Sequence, residues 1–318
     1  MLSGMSTRQG RISRGVVLAV VLAGLLAYCG IFAGKRPAPT PVPDIGLSPY
    51  PAKIVFSGNG GTGGTRVYAM NPDGTGVTGI SAGQDPALSR DGSMLALGRP
   101  LTVMRPDGSH RVQLVNDGAD PAFSADGTRI AFVCDRSICV VDTDGSDQKT
   151  LTGSLGVGLQ YPQRPAFSPD GTLIVFNVEG DIWIMDSDGD NLRPLLKDEF
   201  TNFSAVFTPD GSGIAFASGR CECRGGEVYL MDLYGRNIRP LTGEGTALPA
   251  PEPYYSTTLP AYSPDGTRLL VTRWTENSAK VMTGSEIWVM NPDGSDPRRL
   301  TAANQAARAA SWGGNPAL

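Results

Sequence analysis

Two short segments that recur along the chain, and two chain ends that complete each other, predict an all-β fold. It is a β-propeller of six four-stranded antiparallel blades with Velcro closure of the ring, preceded by one N-terminal transmembrane helix. The first segment is spelled five times, as "PALSRDGSMLAL" (86–97), "PAFSADGTRIAF" (121–132), "PAFSPDGTLIVF" (165–176), "AVFTPDGSGIAF" (205–216) and "PAYSPDGTRLLV" (260–271). The second is spelled six times, as "VYAMNPDG" from 67, "LTVMRPDG" from 101, "ICVVDTDG" from 138, "IWIMDSDG" from 182, "VYLMDLYG" from 228 and "IWVMNPDG" from 287. The third observation concerns the ends. "KIVFSGNGGTGGTRVYAMNPDGTGVTGI" supplies a second, third and outer strand without an inner one, whereas "ARAASWGG" is an inner strand with no sheet after it. Composition agrees, since 41 Gly and 25 Pro against only 18% charged residues favour many turns and short strands over long surface helices.

The elements follow in order. Residues 1–15 are expected to form a cytoplasmic tail and residues 16–34, "VVLAVVLAGLLAYCGIFAG", a transmembrane anchor or signal segment, because the run is uncharged and about 20 apolar residues cross a bilayer as a helix. Arg8, Arg11 and Arg14 precede it and orient the N-terminus towards the cytoplasm, with Lys35 and Arg36 weakening that asymmetry. Three readings stay open for this segment: retained anchor, cleaved signal peptide, and lipoprotein signal acylated at Cys29. The length favours the anchor. Residues 35–52 alternate proline with small residues and read as an extended linker. The propeller then spans 53–314, outside the cytoplasm, in the periplasm or at the cell surface.

Within each repeat the turn chemistry is explicit. In "SPDG" (168–171) proline presets φ at the second position, aspartate tolerates the third, and glycine takes the left-handed conformation that ends the turn. The strands after it, such as "TLIVF" and "DIWIM", are apolar at nearly every position, which requires cover on both faces. One small sheet cannot provide that cover; radial stacking does. Trp312 is expected to fill, in the closing blade, the place that Phe167 and Tyr262 hold in theirs.

These repeats resemble the WD-like repeats of the TolB-type six-bladed propeller family, over residues 53–314. The resemblance implies a propeller that grips protein partners or supports a peptidase. The chain departs from it in having neither room for the extra N-terminal domain of TolB nor a hydrolase domain after the ring.

The tight turns of both segments fall on one face. The opposite face carries loops of uneven length, and recognition is built on such loops. There the expected binding residues are Tyr161, Phe200, Phe203, Tyr254, Tyr255 and Trp274 as aromatic anchors, with Arg164, Arg220 and Arg273 as polar ones, since aromatics and arginine dominate interface energetics.

Chemistry is sparse. "GNGGTG" (58–63) matches a dinucleotide fingerprint, but strand rather than helix should follow, so a loop is expected and no cofactor. Acids at Asp186, Asp188 and Asp190 are candidates for a structural calcium ion, weighed against plain turn chemistry; Asp85 and Asp120, before inner-strand prolines, are candidates to hold a cation at the channel mouth. The one histidine, His110, follows a turn, which leaves no Ser-His-Asp triad and no zinc site of several histidines. Cys134 and Cys139 flank a hairpin within disulfide reach, and Cys221 and Cys223 are a further possible pair, a soft-metal or redox site, or a link to another chain. A net charge of −4 with no basic run in the body argues against nucleic acid.

The function expected is therefore a monomeric, non-catalytic, membrane-tethered propeller that binds a protein or cell-envelope polymer through its variable-loop face. The alternative is a glycan-active hydrolase or lyase using channel-mouth carboxylates such as Glu199, Glu252 and Glu276. A sensor reading lacks an output module in residues 1–15.

Overall fold

The computed structural model describes residues 51–59, 64–153, 161–220, 226–243, 245–248, 255–276, 282–302 and 305–314. The segments expected to be tail, membrane span and most of the linker lie outside these residues, as do Tyr254, Cys221, Cys223 and Glu252.

In chain order the strands are β1 (Lys53–Asn59), β2 (Thr65–Met70), β3 (Thr78–Ala82), β4 (Gln84–Leu88), β5 (Leu95–Gly98), β6 (Leu101–Met104), β7 (Val112–Val115) and β8 (Ala119–Phe123). They continue as β9 (Arg129–Cys134), β10 (Ser137–Asp142), β11 (Lys149–Thr150), β12 (Gln163–Phe167), β13 (Leu173–Val178), β14 (Asp181–Asp186), β15 (Arg193–Leu196) and β16 (Asn202–Phe207). The last are β17 (Gly213–Ser218), β18 (Glu227–Asp232), β19 (Arg239–Pro240), β20 (Tyr255–Tyr262), β21 (Leu269–Glu276), β22 (Met282–Met290), β23 (Arg298–Arg299) and β24 (Arg308–Gly313). They form six sheets of four strands, and five of these take four consecutive strands. The sixth has the order β24-β1-β2-β3, so the chain's last strand supplies the inner position of its first blade.

Closure is tight. Trp312 stands opposite Ile54 in the ladder and Ser311 opposite Val55. The Ser311 hydroxyl accepts a hydrogen bond from the Leu88 amide of the neighbouring blade at 3.0 Å, and the Gly314 amide donates to the Arg90 carbonyl at 3.1 Å. Glycine is required at 313, because a Cβ there would lie 2.4 Å from the Ser89 carbonyl oxygen.

The core is divided among the blade interfaces. Ile54, Met70 and Trp312 pack with Leu270, Ile287 and Val289 across the closing junction. The other five junctions each have their own apolar cluster of buried residues from two adjacent blades. Six blades share six interfaces only if the ring is closed, which is why the second and third strands read as apolar throughout. Phe56, Phe132, Phe176 and Phe216 are wholly buried at these junctions, and burial of each side chain contributes about 1.5–3 kcal/mol.

One face is built from a repeated hydrogen-bonded turn. The Ser168 hydroxyl donates to Asp170 at 2.6 Å and accepts from the Leu173 amide at 2.9 Å, while Asp170 also accepts from Thr172. Ser89 with Asp91, Ser124 with Asp126, Thr208 with Asp210 and Ser263 with Asp265 repeat the bond at 2.6 Å. In that turn Gly171 has φ 71°, the left-handed region where a side chain is strained. Burial acts to raise the carboxyls of all five aspartates, yet the hydroxyl and amide donors together hold them below the ordinary value of 3.8.

Candidate functional site: the channel mouth and an adjoining groove

The inner strands surround a central channel, and each breaks its ladder at the same place. Asp85, Asp120, Arg164, Ser204, Leu259 and Ala309 all have positive φ, between 48° and 57°, and none is glycine. The pairing register shifts there in every inner strand, as in a β-bulge. In four of the six strands a proline follows directly, at positions 86, 121, 165 and 260. Proline has no N–H to donate and is tolerated where a ladder is interrupted. All six bulge residues line one cavity of about 260 Å³ at the channel's loop-face end.

Its electrostatics are mixed. Asp85 is pushed above the ordinary aspartate value by burial first and by the negative charge of Asp120 second, with Arg164, Arg99 and Arg308 opposing the rise. The Arg164 amide donates to an Asp120 carboxylate oxygen at 3.3 Å. The two acids therefore share the mouth with cationic neighbours. Among the described residues no three His, Cys, Asp or Glu side chains are grouped as metal ligands.

A groove of about 460 Å³ adjoins the mouth between the blades of β12–β15 and β16–β19. Arg164 and Ser204 line both spaces. Ser204 is only 4% exposed, and its hydroxyl has no hydrogen-bond partner. Tyr161, Gln163, Glu179 and Phe203 also line the groove. Tyr161 is 57% exposed, with the Arg136 guanidinium 5.4 Å from its ring centre.

The other expected binding residues separate into surface and scaffold. Phe200 is exposed, at 36%, and directly precedes Thr201 and Asn202 of the groove's lining. Arg220 is committed to the fold: it pairs with Asp198 at 2.9 Å, donates to Asn202 and Ser218, and lies over the Phe200, Phe216 and Tyr229 rings. Arg273 corrects the sequence reading, because it is buried, at 4% exposure, with its guanidinium 5.3 Å from the Trp288 ring centre. Its strand, β21, runs on to Glu276, and Arg273 occurs there in the ladder opposite Glu286, within the electrostatic reach of buried Glu227. Burial raises the Glu227 carboxyl; hydrogen bonds from Thr242 and Thr257 and the charge of Arg273 act against the rise. Trp274 is half-buried and donates its indole N–H to Thr258 at 2.8 Å. Tyr255 opens β20, opposite Thr275.

The acids at 186, 188 and 190 lie in one turn. Asp188 accepts from the Asp190 amide at 3.0 Å, and Asp186 accepts from the Asn191 side chain. Cys134 and Cys139 are joined by a disulfide, their Cα atoms 5.9 Å apart. They do not stand directly opposite: Cys134 pairs with Ser137 and Cys139 with Phe132, so the bond is diagonal across the hairpin. The glycine run at 58–63 is followed by strand β2, and exposed His110 contacts Ser109 on the turn face. Glu199 is exposed, and Glu276 closes β21.

The sequence reading named Asp85, Asp120 and Arg164 singly and missed that they form one ring of bulges with Ser204, Leu259 and Ala309. A usable signal was present: in four of the five turn-bearing repeats the residue before an inner-strand "PA" stands at the same distance from the turn, and the proline after it marks an interrupted ladder.

With this geometry the chain is an all-β propeller of six four-stranded blades, closed by its own last strand. No protein-family model matches the sequence, and no curated protein is recognisably similar to it. Solved structures are similar. TolB from Acinetobacter baumannii aligns over 92% of this chain and 72% of its own, at a TM-score of 0.63 and 18% identity. A putative TolB from Agrobacterium tumefaciens aligns over 79% and 88%, at 0.59 and 18%. A chain of a nidogen/laminin complex aligns over 82% and 98%, at 0.60 and 15%. At such identities the likeness is one of architecture.

Proposed function

We propose that this protein is a non-catalytic binding propeller, tethered to a membrane by residues 16–34 and standing outside the cytoplasm, which holds a protein or cell-envelope partner on its variable-loop face. The observation that carries the reading is the juxtaposition, on that face, of an open channel mouth, a contiguous groove and the exposed rings of Tyr161 and Phe200. Exposed aromatics beside a concave, partly charged surface are what a partner buries. The Cys134–Cys139 disulfide supports an oxidising compartment. The nidogen/laminin propeller supports the use of this architecture in protein assembly. In this reading the channel-mouth acids orient and select the partner and perform no bond-breaking step.

The test is co-purification of the full-length chain from its native membrane with cross-linked partners, repeated with Tyr161→Ala and Phe200→Ala. The expected outcome is loss of the partner from both variants with folding intact. Recovery of the same partner at the same yield would assign recognition to another surface.

A further inference from the structure

Resting on the loop-face reading, we infer that the groove between the blades of β12–β15 and β16–β19 is a binding site for the end of an uncharged oligosaccharide. Its volume of about 460 Å³ falls within the range of roughly 300–1,000 Å³ usual for small-ligand sites. The channel mouth extends it through the shared residues Arg164 and Ser204.

Three features of the lining select the ligand. Ser204, which lines both spaces, has a buried hydroxyl without a partner, a group that both donates and accepts and is costly to leave unmade. Aromatic rings come from Tyr161 and Phe203, and Gln163 adds an exposed amide. The groove's charges balance, with Arg164 against Glu179. A sugar ring matches this set, since it carries C–H faces for an aromatic ring and adjacent hydroxyls that donate and accept in turn. The Arg136 guanidinium over Tyr161 adds one further cation at the rim, so the test carries an anionic sugar beside the uncharged ones. A peptide added as a strand needs a row of free backbone donors and acceptors. Here β12 is interrupted by the Arg164 bulge and by Pro165, which has no N–H.

The groove wall is preorganised. The Asn177 amide donates to the Asn202 carbonyl at 3.3 Å and accepts from the Ala205 amide at 3.3 Å, and Asn202 is held by Ser218 at 2.7 Å. These bonds fix β16 and with it Ser204. A wall already committed to one geometry loses little entropy when a ligand arrives.

The experiment is titration calorimetry of the full chain in detergent with maltotriose, mannotriose and N,N′,N″-triacetylchitotriose, and with trigalacturonate as the anionic arm. At least one uncharged trisaccharide should bind with Kd of about 1 mM or tighter. Tyr161→Ala and Ser204→Ala should each weaken it about tenfold, and Tyr234→Ala, an exposed aromatic on the turn face, should leave it unchanged. Tyr161 is exposed, so its variant tests the site even if Ser204→Ala fails to fold. The inference is overturned if no uncharged trisaccharide binds at about 10 mM, if trigalacturonate binds more tightly, or if Tyr161→Ala has no effect. Should the sugars fail while capture of a protein partner is lost with Tyr161→Ala, the saccharide site falls and the loop-face reading stands. If capture is unaffected as well, both fall.

Discussion

The two ends of the channel are made by the same six inner strands and differ in almost every physical respect. At the turn-face end the inner-strand residues are Leu88, Phe123, Phe167, Phe207, Tyr262 and Trp312, bulky side chains around a smaller cavity of about 190 Å³. Five of the adjoining turns repeat one Ser/Thr–Asp bond at 2.6 Å. Tyr262 is pushed up to about 12, by burial first and by the charge of Asp210 second. At the loop-face end the equivalent ring reads Asp, Asp, Arg, Ser, Leu, Ala, and a buried hydroxyl lacks a partner. One end repeats a single hydrogen-bonded turn from blade to blade; the other varies from strand to strand, and each end holds one buried polar group without a partner, Trp312 at the first and Ser204 at the second. The repeated turns are concentrated at the first, and the proposed recognition surface lies at the second.

The largest expected effect is at the closing blade. Trp312→Ala removes a side chain that is 7% exposed and seals the ring, and it should lower unfolding free energy in urea by about 3–5 kcal/mol. A change within about 0.5 kcal/mol would mean that the turn-face end does not hold the ring together.

Acid should act next, and on the same end. Asp73, Asp107, Asp144 and Asp293 are held below 3.8 chiefly by hydroxyl donors in their turns. Asp91, Asp126, Asp170, Asp210, Asp232 and Asp265 are also below it: burial opposes the shift, and their hydrogen bonds together outweigh it. A carboxyl depressed in the folded state stabilises fully above its unfolded value and loses that contribution as pH falls through the folded one. The melting temperature should therefore drop steeply below about pH 4. Asp85 and Glu227, both raised, work in the opposite sense: their charged forms cost stability at neutral pH, and that cost is relieved on acidification. A melting temperature that is flat or rising between about pH 5 and pH 3 would show that these two outweigh the turns.

The smallest effect on stability belongs to the loop face. Tyr161→Ala should change unfolding free energy by no more than about 0.5 kcal/mol, because the ring is 57% exposed. A loss of more than about 2 kcal/mol would make Tyr161 part of the scaffold and blur the distinction between the two ends.

The same distinction explains what was legible in the sequence. Serine, aspartate and glycine at fixed spacing make a turn by local bonds alone, so "SPDG" announced its structure, and the incomplete first blade announced its missing strand. The Cys134–Cys139 hairpin was equally local. The bulge ring was harder to read because the left-handed residues are Asp, Arg, Ser, Leu and Ala, with no glycine to flag them, and their meaning depends on six strands meeting at an axis. Arg273 misled for a related reason: an arginine beside a loop reads as surface until Trp288 of its own blade and Glu227 of the neighbouring one are brought to it. Arg220, likewise, spends its guanidinium on its own blade and the adjoining loop.

Because each inner strand kinks at one residue, the scaffold sets six side chains around a single opening. Aspartate, arginine, serine, leucine and alanine all occupy the kinked positions on the same backbone geometry. The left-handed kink at these positions is thus not tied to one residue type, and the ring's chemistry differs from strand to strand on one backbone.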